Sequence, residues 1–167
     1  IRNTDVVLAM GGNPAENHPV GFRFVMDAKR NRNAKLICVD PRDTPVARMA
    51  TLHLAPLPST NLALMNGILH EIISHDWVDQ DYVRQYTVGY SELVDLVEQY
   101  PPERAASICD VPVDNIREAA RVIGSADRLL CTVLQGFYQS HQATAAAVQV
   151  NNINLIRGML GKPGAGV

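Results

Sequence analysis

The sequence lacks the features that mark several classes of protein. Charged residues make up 19% of the 167 residues and the formal net charge is −2, which indicates neither a disordered chain nor a basic nucleic-acid-binding protein. Apolar residues make up 47%, yet no apolar run approaches the ~20 residues that span a bilayer, and no basic and then apolar leader opens the chain. We therefore expect one globular domain that contacts neither nucleic acid nor membrane.

Paired cysteines are also absent. Cys38, Cys109 and Cys131 lie far apart, their number is odd, and no CxxC pair or histidine at ligand spacing accompanies them. This pattern disfavours a zinc site, an iron–sulfur site and a disulfide framework. We predict that the three thiols are small buried side chains and that the chain holds no metal ligand.

The apolar residues fall into short runs that alternate with amphipathic segments. Nearly continuous apolar runs are typical of parallel strands buried on both faces, and they predict strands at Asp5–Met10, Leu36–Asp40, Leu52–Leu57 and Leu129–Leu134. Between the first two runs, Phe22, Val25 and Met26 recur at helical spacing and predict a crossover helix over Pro19–Arg32. The sequence therefore predicts an α/β fold, a parallel, Rossmann-like sheet with helices on both faces.

Two further helices and a helical insert complete the expected fold. Thr60 is a candidate N-cap of a helix that ends around residues 74–76. Several short helical segments, separated by glycine and proline, predict a helical insert at about residues 79–124. A long helix is expected from about His141 to Leu160, where Gly161 would end it.

Polar groups and glycines follow all four predicted strands. In an open α/β sheet, ligands bind beyond the carboxyl ends of the strands, where neighbouring connections diverge. Glycines allow a phosphate to approach the backbone, and an acid followed by a guanidinium suits a ribose and a phosphate. The candidate binding residues are Gly11, Gly12, Asn13, Glu16 and His18 after the first strand, Asp40, Pro41 and Arg42 after the second, Ser59, Thr60 and Asn61 after the third, and Gln135, Gly136 and Gln139 after the fourth. A structural role stays open for each group, as a tight turn, an exposed Asp–Arg turn or a plain helix N-cap.

No group of side chains suggests a catalytic centre. His53 falls in a predicted strand, and His70 and His75 fall in a predicted helix, which favours packed or solvated side chains. No serine lies in a nucleophile elbow. We expect no catalytic residue in this chain.

Four stretches of the sequence carry a family resemblance. They are GGNPAENHP at 11–19, VDPR at 39–42, DYVRQYTVGYSELVDLVEQYPPE at 81–103 and GFYQSHQATAAAVQVNNINLIRGMLGKPGAG at 136–166. In this order, over nearly the whole chain, they resemble the molybdopterin oxidoreductases of the dimethyl-sulfoxide-reductase superfamily. The likeness is in particular to formate dehydrogenase large subunits and to periplasmic and assimilatory nitrate reductases.

The resemblance implies a domain that binds one molybdopterin guanine dinucleotide. In that family, two such dinucleotides together hold one molybdenum or tungsten ion. The first loop of the family's site matches Gly11, Gly12, Asn13, Glu16 and His18. The ribose and phosphate contacts match Asp40, Pro41 and Arg42. The guanine-facing loop matches Ser59, Thr60 and Asn61, and the loop on the pterin side matches Gln135, Gly136 and Gln139. In that family, an acidic residue often occupies the position that matches Asn61. We expect an amide to hold the guanine edge less tightly than a carboxylate does.

The resemblance also implies a larger catalytic subunit. The chain starts at Ile1 without methionine and stops in the Gly-Lys-Pro-Gly-Ala-Gly run at 161–166, so we expect an internal piece of a longer polypeptide. A [4Fe–4S] cluster, the metal-ligating residue and an arginine beyond that run would lie outside the chain, and the isolated piece would be inactive. The implied partners are the remaining domains and electron-transfer subunits, and a cytoplasmic location is favoured over a periplasmic one.

Two other classes of function stay open. An autonomous nucleotide-binding regulatory or NAD-type module is disfavoured because the GxGxxG spacing is absent. A structural interaction domain is disfavoured by the four polar strand ends. Within the resemblance, the substrate of the parent enzyme, whether formate, nitrate or another small oxyanion, and the choice between molybdenum and tungsten also stay open.

Overall fold

The computed structural model describes residues 1–167 and contains one sheet of four parallel strands. These are β1 (Val6–Met10), β2 (Lys35–Val39), β3 (Leu52–Leu54) and β4 (Leu129–Val133), in the order β3-β2-β1-β4. The register places Leu8 of β1 opposite Ile37 of β2 on one side and opposite Cys131 of β4 on the other. The predicted parallel α/β fold is confirmed.

Ten helices connect and cover these strands. They are α1 (Pro14–Asn17), α2 (Pro19–Arg32), α3 (Pro45–Met49), α4 (Asn61–Ser74), α5 (Gln80–Tyr86), α6 (Tyr90–Val97), α7 (Pro102–Cys109), α8 (Val113–Gly124), α9 (Gln135–Tyr138) and α10 (Ala143–Ile156). Four of them begin with proline, which has no N–H to leave unpaired and already holds a helical φ. None of the ten has the length and apolar character that a membrane span requires.

The two faces of the sheet are buried by different helices. Side chains alternate along a strand, so Val6, Leu8 and Met10 of β1 join a large apolar core with α4, α7, α8 and α10. Val7 and Ala9 point the other way and join a smaller core with α2 and α3. The helices therefore lie on both faces, as predicted.

The connections reverse direction beside β1. From β1 the chain moves to β2 and β3 through α2 and α3 on one face, and it then returns on the other face through α4–α8 to β4. The two directions diverge between β1 and β4. Sheets of this kind bind ligands at such a point, beyond the carboxyl ends of the strands.

The other predicted strand ends lie within one residue of the observed ones, but two predicted elements are too long. The third strand ends at Leu54 and not at Leu57, because Pro56 has no N–H for the ladder and the Leu57 N–H donates to the Cys109 carbonyl, 2.8 Å away, instead. The last helix spans Ala143–Ile156 and not His141–Leu160. It ends early because Gly158 adopts a left-handed φ of 57° and the Met159 N–H donates back to Asn154, which is a glycine C-cap.

Three short helices, α1, α3 and α9, were not predicted from the sequence. Each has only four or five residues. A single turn is too short to show helical periodicity in an apolar pattern. All three follow a strand at its carboxyl end, where they shape the loops of the candidate site.

Candidate nucleotide-binding site

The four candidate loops meet at one edge of the sheet. All strand pairs are parallel, so their carboxyl ends share that edge. Hydrogen bonds also join the loops directly: the Gly11 N–H donates to the Val39 carbonyl at 2.9 Å, and the Gly136 N–H donates to the Gly11 carbonyl at 2.8 Å. The Asn61 side chain donates to the Phe137 carbonyl at 3.2 Å. Residues 11–13, 40–42, 59–61 and 135–139 therefore form one continuous surface.

The glycines of this surface are required by loop–loop packing. A Cβ on Gly11 would lie 2.1 Å from the Phe137 nitrogen, and one on Gly136 would lie 2.8 Å from the Gly11 oxygen. A Cβ on Gly12 would lie 2.3 Å from the Leu134 side chain. The N–H groups of Gly11 and Gly136 are both used within the chain, so neither is a free donor for a phosphate.

Unpartnered polar groups lie next to these glycines, at Asn13. Its side chain is 7% exposed, and its buried Oδ1 atom accepts no hydrogen bond. The backbone N–H groups of Gly12 and Asn13 also donate to no acceptor within the chain. Nearly all buried polar groups in folded proteins are paired. This small cluster of donors and an acceptor therefore fits a ligand that offers both phosphate oxygens and hydroxyl groups.

Two charged or titratable side chains flank this loop. Glu16 lies in α1 and His18 lies between α1 and α2, and both are exposed. Glu16 is near enough to Arg42 for its charge to contribute to the raised pKa of that guanidinium, after the larger effect of Asp40. Glu16 and Arg42 therefore place opposite charges near each other at this edge.

Asp40 and Arg42 form an ion pair within one turn. The Oδ1 atom of Asp40 accepts from the Arg42 backbone N–H at 2.9 Å and from its Nε at 3.1 Å, and Oδ2 accepts from Nη2 at 3.2 Å. Asp40 is only 2% exposed, whereas the Arg42 side chain is 71% exposed. Because an exposed guanidinium gains little from such a pair, Arg42 can turn outward and leave Oδ2 for another donor. Pro41 lies exposed between them.

His53 supports this turn from the neighbouring strand. Its Nε2 lies 2.8 Å from the backbone oxygen of Asp40, and since a carbonyl only accepts, Nε2 carries the proton. The Asp40 N–H in turn donates to the Leu54 carbonyl at 3.2 Å. The sequence placed His53 in a strand, but only the register that pairs Cys38 with His53 brings it beside Asp40.

The third loop differs in detail from a simple N-cap. Thr60 is at the N-cap position of α4, but its hydroxyl donates to the Leu57 carbonyl at 2.7 Å and makes no cap hydrogen bond. Ser59 has a left-handed φ of 69°. Asn61 is 9% exposed, its Nδ2 donates to Phe137, and its Oδ1 stays available. A carboxylate could not donate to the Phe137 carbonyl, which explains an amide at this position.

The fourth loop presents two amides to solvent. Gln135 and Gln139 are exposed at the ends of α9, and Gly136 is exposed between them. The loop is anchored by Phe137, which is fully buried in the larger core. The two glutamines are therefore held at the edge without being used in packing.

The cysteines are protonated and buried. Burial, and secondly the negative charge of Asp40, raise the pKa of Cys38 to about 12. Burial raises the pKa of Cys131 to about 12 and also raises that of Cys109. No group of three or more His, Cys, Asp or Glu side chains is placed to hold a metal ion.

We expect the three thiols of the folded chain to resist alkylation by iodoacetamide at pH 8, because the thiolate is the reactive form and none of the three side chains is exposed. Mass spectrometry should find no adduct on the native chain and three after denaturation. A thiol that reacts in the native chain as fast as free cysteine would contradict the expected protection.

The raised pKa values of Cys38 and Cys131 mean that the folded state holds these thiol protons more tightly than the unfolded state does. The free energy of unfolding should therefore fall as the pH rises from about 9 towards 12.

Comparison with known proteins identifies the family. The sequence model of the family described as molybdopterin oxidoreductase matches residues 1–167. The chain belongs to the molybdopterin oxidoreductase family. Membership implies a molybdopterin cofactor.

Several curated members of the family are similar over the whole chain. The alpha subunit of F420-dependent formate dehydrogenase 1 from Methanococcus maripaludis is 36% identical over 167 residues, which are all of this chain and 25% of that protein. Formate dehydrogenase H from Escherichia coli is 38% identical, over all of this chain and 23% of that protein. A nitrate reductase from Synechocystis sp. is 35% identical, over 98% of this chain and 23% of that protein. The chain thus spans about a quarter of the length of these relatives.

A solved structure of the family shares the fold. The structure named acetylene hydratase, from Pelobacter acetylenicus, matches with a TM-score of 0.88 and 26% identity, over 96% of this chain and 22% of that one. Proteins named as formate dehydrogenase, nitrate reductase and acetylene hydratase all contain this domain. The domain therefore does not by itself determine the reaction.

Proposed function

We propose that this chain is the domain that holds the guanosine diphosphate arm of a molybdopterin guanine dinucleotide in a larger oxidoreductase. The observation that carries the proposal is the unpartnered polar cluster at Gly12 and Asn13, at the point where the connections diverge. A pyrophosphate accepts hydrogen bonds and a ribose hydroxyl donates one, so together they satisfy these groups. When bound, the cofactor supplies the redox chemistry, and the domain supplies placement and electrostatics.

Each loop has a proposed part in holding this arm. The Gly12 and Asn13 N–H groups donate to the pyrophosphate, with Glu16 and His18 at the rim. Asp40 accepts from the ribose hydroxyls, and its partner Arg42 turns onto a phosphate. The remaining loops contact the guanine through Ser59, Thr60 and Asn61, and the pterin side through Gln135, Gly136 and Gln139.

The proposed parent is a formate dehydrogenase-type subunit with two such cofactors on one molybdenum or tungsten ion. The two formate dehydrogenases named above are 36% and 38% identical to the chain. A nitrate reductase-type parent is the second candidate, because the identity to that relative is comparable, at 35%. In either case, we propose that the [4Fe–4S] cluster, the metal ligand and the contacts to electron-transfer subunits lie in the rest of the subunit. We also propose a cytoplasmic location for the enzyme. The chain alone should not catalyse the reaction.

Nucleotide selectivity tests the proposed function. In ¹⁵N NMR titrations of the chain, we expect guanosine diphosphate to bind about five- to tenfold more tightly than adenosine diphosphate. The reason is that the Asn61 Oδ1 can accept from the N1–H or N2–H of guanine, whereas adenine has no proton on N1 and no N2 amino group, and one such hydrogen bond contributes about 1 kcal/mol. Asn61→Ala should abolish this preference and leave adenosine diphosphate binding unchanged.

Asn31→Ala is the matched control, because Asn31 is exposed near the end of α2, at the opposite edge of the sheet. It should change neither affinity. If Asn61→Ala weakens the binding of both nucleotides equally, Asn61 acts only through its hydrogen bond to Phe137, and the proposed guanine contact is wrong. Chemical-shift changes that lie outside the four loops would reject the site itself.

A further inference from the structure

An apolar groove lies on the face of the sheet that α2 and α3 cover only in part. It has a volume of about 460 Å³, and eleven of its fifteen lining residues are apolar. Its floor includes Val7 and Ala9 of β1 and Leu130, Thr132 and Leu134 around β4. His18, at the rim near the first loop, is the only lining residue with a basic or acidic side chain. The groove is thus a nearly uncharged surface next to the candidate site.

The groove exists because β4 is covered on one face only. Leu129 and Cys131 are buried in the larger core, whereas Leu130 and Thr132, which point the other way, are only half-buried. The smaller core contains no residue of β4. Parallel strands are normally buried on both faces by helices, so β4 lacks the covering that β1 and β2 have.

Gly21 of α2 marks the wall of this groove. A Cβ added there would meet nothing within 4 Å, so no contact inside the chain requires a glycine. Glycine in the interior of a helix is destabilising relative to alanine. A second element that packs closely against α2 would explain this glycine. Because Gly21 has no side chain, the backbone of such an element can come nearer to α2.

We propose that the groove is the docking surface for an apolar helix from the part of the parent subunit that lies outside these 167 residues. The relatives are about four times as long as the chain, so most of their polypeptide lies outside the matching region. Ile1 and Val167 both line the groove, and Gly166 pairs with Leu130 beside β4. Any polypeptide joined to either terminus therefore starts at this surface.

The groove also indicates the character of its occupant. A helix is the element that covers a parallel sheet face. Its contacting side should be apolar, because almost no charge lines the groove, and small where it meets Gly21. The inference rests on the proposed larger subunit, but it does not depend on which nucleotide the loops bind.

Thiol labelling at Thr132 tests whether the groove is covered. Thr132→Cys is nearly isosteric and places a thiol in the groove, and the native cysteines are buried and protonated. We expect a maleimide to label this thiol in the 167-residue chain, and at least tenfold more slowly in the full-length subunit. The denatured proteins give the reference rates, and the unsubstituted proteins give the background. Equal labelling of the two native proteins would overturn the proposal.

Cross-linking identifies the occupant. A photoreactive diazirine amino acid, incorporated in place of Thr132 during synthesis of the full-length subunit, needs no access for a reagent and should, on irradiation, link to a peptide of the same polypeptide outside the 167 residues. A link to a second copy, with protection that depends on protein concentration, would overturn the proposal in favour of a dimer interface. The nucleotide titrations are run separately, so a failure of the groove inference and a failure of the guanosine diphosphate assignment are distinguishable.

Discussion

Gly11→Ala is expected to lower the free energy of unfolding by about 3 kcal/mol, which is a fall of about 10 °C in the melting temperature of a domain of this size. The added Cβ would lie 2.1 Å from the Phe137 nitrogen and 2.6 Å from the Gly136 carbonyl carbon. Both are backbone atoms that cannot rotate away, and overpacking of this kind costs about 1–3 kcal/mol. The left-handed φ of 64° adds about 1–2 kcal/mol for a residue with a Cβ.

Two other glycines provide matched controls for Gly11. A Cβ on Gly12 would meet the Leu134 side chain, which can change its rotamer, so Gly12→Ala should cost about 1 kcal/mol. Gly21→Ala should stabilise the isolated chain by about 0.5–1 kcal/mol, because Gly21 lies in a helix with open space around it. Thermal unfolding of the three variants should rank them in this order. A Gly11→Ala chain as stable as the unsubstituted one would show that the contact between the first and fourth loops is not tight.

Asp40→Ala is expected to weaken the binding of guanosine and adenosine diphosphates alike, by about ten- to a hundredfold. The proposed hydrogen bonds from the ribose hydroxyls to a carboxylate contribute about 1.5–3 kcal/mol in total, and about 1.4 kcal/mol is a tenfold change in Kd. Both nucleotides carry the same ribose, so their ratio should not change. This separates the role of Asp40 from that of Asn61. NMR titration of the variant with each nucleotide measures both effects.

Asp43→Ala is the control for Asp40→Ala. Asp43 lies in the same loop and pairs with Arg48, but both of these side chains are exposed, and no role in binding is assigned to it. It should leave both affinities unchanged, because exposed ion pairs contribute little. If Asp40→Ala and Asp43→Ala have equal effects, the loss reflects the general negative charge of the loop and not a contact to the ribose.

The sequence alone determined the class of fold and the edge at which the candidate site lies. Continuous apolar runs predict buried parallel strands, since each strand has neighbours on both faces. Parallel pairing then brings all the carboxyl ends to one edge, so the loops after the strands could be predicted to lie together before any contact was known. The family was also recognisable, because its motifs are local stretches of sequence in a particular order.

Only the tertiary structure decided which contacts these residues make, because the contacts join positions far apart in the chain. Gly11 lies against Gly136, and Asn61 donates to Phe137, 76 residues away. Neither contact follows from a local pattern. The same holds for His53, whose place beside Asp40 depends on strand register. The uncovered face of β4 likewise could not be predicted, because an apolar run has the same sequence pattern whether one or both faces of the strand are covered.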